Sequence, residues 1–236
     1  MTHRDEIERI AHYAVELLAQ QEFQGKAVRE PTKYRLGALL DAHMLALGAV
    51  ASAIGRMAGQ RLKIVEHSQR QIVLIASFIQ GINLSETAIS EGYYLQAAAL
   101  IRQEMETIAA LEELKKGIRQ DSRTPNVSNV PWGLGRLYGD LSKAAHAADH
   151  GFLQGLLLPK GVELPAETTA VTMVQTPDPE LAWRLYGLHV ALLLLLAVHV
   201  NDHSELVGTE GLVKSEVQAI STAQQILIDE GWFLEG

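Results

Sequence analysis

The sequence predicts an all-α protein, a single up-and-down bundle of six or seven helices with a small irregular or hairpin insertion. Three observations predict it. Apolar residues recur at intervals of three and four through most of the 236 residues. The stretch 92–116, GYYLQAAALIRQEMETIAALEELKK, shows this most clearly, with Tyr94, Ala98, Ile101, Met105 and Ile108 on one helical face. The run from Leu185 to Val200, LYGLHVALLLLLAVHV, is apolar on most sides, as the central helix of a bundle is.

Taken in order, Thr2 to Gln24 form an amphipathic helix with Asp5, Glu6 and Glu8 in its first turns, where the helix dipole favours acids. Gly25 is expected to end it and the polar segment to Pro31 to be a link, so residues 1–30 read as an N-terminal helix or arm and 31–236 as the bundle. Lys33 to Arg61 read as a helix rich in small residues, and Gly37, Gly48 and Gly55 suggest close approach of a neighbour. Ile64 to Asn83 follow, and Ser85 with Glu86 can start the next element. After the 92–116 helix, RQDSRTPNVSNVP is a loop, and Trp132 to His150 form another helix opened by Pro131. The insertion falls near 151–178, where Thr169 to Thr176 have the β-branched character of a strand or flap. Asp178 caps a long helix to about Glu205, and Val213 to Asp229 make the last one.

A net charge of −8 and a pI near 5.6 exclude a broad basic surface of the kind that coats DNA. The one basic concentration, Arg56, Arg61, Lys63, His67 and Arg70, is interrupted by Glu66 and has no interleaved aromatics, so it reads as a solvated helix end. Zero cysteines remove thiolate chemistry and disulfides and are compatible with a cytoplasmic location. Leu185 to Val200 is about a turn short of the roughly 20 residues that span a bilayer and is interrupted by His189, so no membrane partner is expected. His43, inside an apolar helix, reads as a satisfied structural histidine.

No glycine-rich phosphate loop, Gly-x-Ser-x-Gly elbow or His-Glu-x-x-His occurs. Two constellations remain. Arg102 and Glu106 lie one turn apart on the first helix, and Ser142 and His146 on a second. A permanent cation that holds a phosphate, beside an imidazole that exchanges protons near neutral pH, is what cleavage of RNA without a metal requires. The other is a pair of like segments, His146-Ala-Ala-Asp149-His150 and His199-Val-Asn-Asp202-His203, in a chain with nine histidines. Imidazoles one turn apart with an aspartate beside them can chelate zinc, nickel or iron, and two such segments side by side would make a metal-binding bundle, a hydrolase among the possibilities.

Gly92-Tyr-Tyr-Leu-Gln-Ala-Ala-Ala-Leu-Ile-Arg102 followed by Glu106, and then Leu141-Ser142-Lys-Ala-Ala-His146, resemble the paired helices of HEPN-like domains. The resemblance covers roughly residues 64 to 205 as a helix order. It implies a four-helix bundle, commonly a homodimer, of toxin, abortive-infection or RNA-processing type. Active members resemble one another in an Arg followed four to six residues later by a His, acting as a metal-independent RNase with no cofactor. This chain departs there: Arg136 is too far before His146 and Lys143 too near. Catalysis would rest on Arg102 for phosphate contact, Glu106 to orient it, Ser142 to orient the imidazole and His146 as acid and base. A non-catalytic interaction module is the third reading.

Overall fold

A computed structural model of the chain describes residues 3–145, 157 and 171–232. Seven α-helices lie among the described residues, and no strand. They are α1 (His3–Leu36), α2 (Ala38–Met57), α3 (Ser68–Ser90), α4 (Tyr94–Lys115), α5 (Tyr138–Ala145), α6 (Pro179–Leu206) and α7 (Lys214–Asp229), with 3-10 segments Val127–Asn129 and Pro131–Leu137 between α4 and α5.

Helix α6 forms the axis. Every residue from Leu185 to Ala197 is buried, and α1, α2, α3, α4 and α7 all pack on it. Each leucine so enclosed contributes about 1.5–3 kcal/mol. The Asp178 carboxylate caps its start, accepting from the Leu181 N–H at 3.1 Å, and Pro179 occupies the first turn. On α4 all five stripe residues are buried: Tyr94, Ala98, Ile101, Met105 and Ile108.

Several boundaries differ from the sequence expectation. α1 continues through Gly25 and Pro31 to Leu36, because Gly25 lets the helix approach the Glu91 side chain, where a Cβ would stand 3.0 Å from Oε2. The break comes instead at Gly37, whose φ of 45° suits glycine. Arg4 to Gln20 are exposed, so the arm is the front half of a helix whose packed part begins near Gln21. Gly48 and Gly55 face open space, not a neighbouring helix. Trp132 and Gly133 take positive φ values of 59° and 66°, which delays α5 to Tyr138. Residues 171–176 are irregular: the Thr172 hydroxyl turns back to the Val174 N–H and C=O in place of a strand partner.

By length and composition α2, α3 and α6 are each able to cross a membrane. The helix carrying Leu185 to Val200 is 28 residues long, so the shortness of that run does not argue against a span. In α6 78% of the apolar window is buried within the protein, against 39% in α2 and 33% in α3. The outward positions of α3 include Arg70, Ser77, Gln80 and Asn83 together with Val73, Ala76 and Leu84, and those of α2 include Met44, Gly48, Ala51 and Gly55.

Helix α7 docks on α2 through the Arg56–Glu216 pair. Arg56 holds both carboxylate oxygens of Glu216, one at 2.8 Å, and donates to the Gly211 carbonyl at 2.8 Å. Hydrogen bonding from Arg56 lowers the Glu216 pKa from 4.5 to about 2. A depressed carboxylate stabilises the fold above its unfolded pKa and loses that contribution as pH falls through its folded one. Glu216→Gln should therefore lower stability by about 3 kcal/mol at pH 7, as read by urea unfolding, and the difference from wild type should vanish as the pH falls from 4.5 to about 2.

Candidate functional site

Arg102 and Glu106 on α4 meet α5 at Tyr138. Arg102 Nε donates to Glu106 Oε1 at 3.1 Å and to the Tyr138 hydroxyl at 3.1 Å, while that hydroxyl donates to Glu106 Oε1. The guanidinium also lies over the Tyr138 ring, its carbon 5.3 Å from the ring centroid.

 Hydrogen bonding to Tyr138 raises the Arg102 pKa further, so this residue stays cationic at any working pH. Ser142 is half-buried one turn beyond Tyr138 on α5. His146, Asp149 and His150 lie outside the described residues.

The second His-x-x-Asp-His segment is placed at the C-terminal end of α6, and its three side chains engage three different residues. His199 Nε2 lies 3.3 Å from Glu112 Oε1, Lys115 donates to Asp202 at 2.7 Å, and His203 Nδ1 lies 3.2 Å from Gln71 Oε1. Among the described residues no three His, Asp or Glu side chains converge as a metal site would. The basic concentration is similarly engaged: Arg56 holds Glu216, and Arg70 donates to Asp121 at 3.0 Å.

A third arrangement was not expected from the sequence. Five polar side chains from four helices form a chain in the middle of the core. Ser85 Oγ on α3 donates to Glu104 Oε1 on α4 at 2.5 Å, and Glu104 Oε2 lies 2.8 Å from Nδ1 of His189 on α6. His43 of α2 stands beside His189, ring centroids 5.2 Å apart, and the Tyr186 hydroxyl lies 2.9 Å from His43 Nδ1. A carboxylate accepts, so His189 carries a proton on Nδ1, and as a neutral ring it leaves Nε2 bare. With the Tyr186 hydroxyl as donor, His43 takes the tautomer protonated on Nε2. Both Nε2 atoms are buried without a hydrogen-bond partner.

No protein-family model matches this chain, and no curated protein or solved structure matches it significantly.

Burial lowers the pKa of His43 to about 4, with the neighbouring His189 adding to the effect, and burial lowers His199 to about 4. Unfolded, each takes up its proton near 6.5. Stability from these two is therefore complete above about 6.5 and falls as the pH drops toward 4, by up to roughly 3 kcal/mol per histidine. Urea midpoints measured between pH 7 and 4 should fall in the wild type, and a variant with His43→Gln and His199→Gln should start less stable but show a flatter dependence.

Proposed function

We propose that this chain is a HEPN-like helical bundle that binds RNA and cleaves it without a metal at the face where α4 meets α5. The observation that carries this reading is the Arg102–Glu106–Tyr138 node, which joins the two helices that the resemblance pairs. Glu106 and Tyr138 orient the guanidinium, which contacts the scissile phosphate. His146 removes the 2′-hydroxyl proton and returns one to the leaving 5′-oxygen, and Ser142 orients its ring. The protein acts in the cytoplasm and as a homodimer. The absence of cysteine supports the first. The exposed apolar face of α1, with Ile7, Ile10, Leu17 and Leu18 outward, supports the second.

The test is cleavage of a mixed-sequence RNA by the full chain in EDTA. Wild type should cleave, and Arg102→Ala and His146→Ala should each lose roughly 10²-fold or more in rate. Cleavage equal in wild type and His146→Ala, or no cleavage by any of them, would contradict the reading.

A further inference from the structure

A cavity of about 220 Å³ opens between α3 and α4, and Ser85 and Glu104 line it. It lies about 200° round α4 from Arg102 and Glu106, so it is a separate feature from the face at α5. Ser85 is fully buried and Glu104 is 4% exposed. Gln80 and Gln103 stand at its exposed edge, and Phe78 and Leu100 supply apolar wall.

We propose that this cavity binds a small aliphatic amine, with the ammonium held by Glu104. Four considerations select that class. Among the described residues Glu104 pairs with the Ser85 hydroxyl and the His189 imidazole, and no lysine or arginine nitrogen lies within salt-bridge distance. Each carboxylate oxygen takes one of these donors and retains a second acceptor position for an ammonium proton. No Lys, Arg or His lines the cavity, so an anion would find no counter-charge. Its volume is below the roughly 300–1,000 Å³ of drug-sized sites, which restricts the ligand to a compact one. Short methylene chains suit Phe78 and Leu100, and the side-chain carbonyls of Gln80 and Gln103 suit a second ammonium in a diamine.

Gly81 supplies a test that leaves the polar groups intact. It is one turn before Ser85 on α3 and lines the cavity, and a Cβ there meets nothing within 4 Å. Gly81→Leu therefore enters open space, and it favours the helix. The full chain is titrated calorimetrically with butylamine and with putrescine, and with butyrate and 1-butanol as anionic and neutral counterparts. At least one amine should bind, the counterparts should not, and Gly81→Leu should weaken amine binding at least tenfold while keeping the wild-type circular dichroism. Glu104→Gln should also weaken it at least tenfold. Failure of both amines to bind, equal binding of butyrate or 1-butanol, or unchanged affinity in Gly81→Leu would overturn the proposal.

Discussion

The Glu104–His189 hydrogen bond is the interaction on which the centre of this structure depends. Helix α6 is apolar on nearly all sides and is enclosed by five other helices, yet it carries His189 in the middle of its buried run. An imidazole in that position loses its hydration, and Glu104 compensates at Nδ1. Glu104 is itself an ionisable group in the core, and Ser85 compensates it in turn. The packing of α3, α4 and α6 is therefore tied to one polar register: sliding any of the three by a turn would strand at least one buried polar group.

Helix α4 serves two sets of polar contacts with opposite faces. Glu104 turns toward α3 and α6, while Arg102 and Glu106 turn toward α5. Between them lies the apolar stripe from Tyr94 to Ile108, buried throughout. The stripe fixes how α4 rotates about its axis, and that rotation decides which polar residues go inward and which reach Tyr138. A change in the stripe would move both sets together.

The apolar pattern made much of this architecture legible. The stripe on α4, the all-round apolarity of α6, the Asp178 cap and the position of α7 follow directly from residue spacing and type. Glycine is a poorer guide, because the residue that ends helices also permits close approach. Gly25 does the second beside Glu91. Ser85 followed by Glu86 resembles a helix start, whereas α3 continues through it to Ser90 and turns the hydroxyl onto Glu104. His43 and Glu104 carry no local signal for their roles, since their partners lie 143 and 85 residues away in the chain. Tyr138 carries no local signal for its role either, and only the meeting of α4 and α5 shows its hydroxyl bridging Arg102 and Glu106.

The most direct test of the buried polar chain is the tautomer of its two histidines, read by nitrogen-15 NMR of the imidazoles near neutral pH. The account predicts opposite tautomers: His189 protonated at Nδ1 and bare at Nε2, His43 protonated at Nε2 and bare at Nδ1. Glu104→Gln should alter the His189 signals and leave the Tyr186–His43 hydrogen bond in place. Both rings in the same tautomer, or both averaging rapidly between the two, would contradict it.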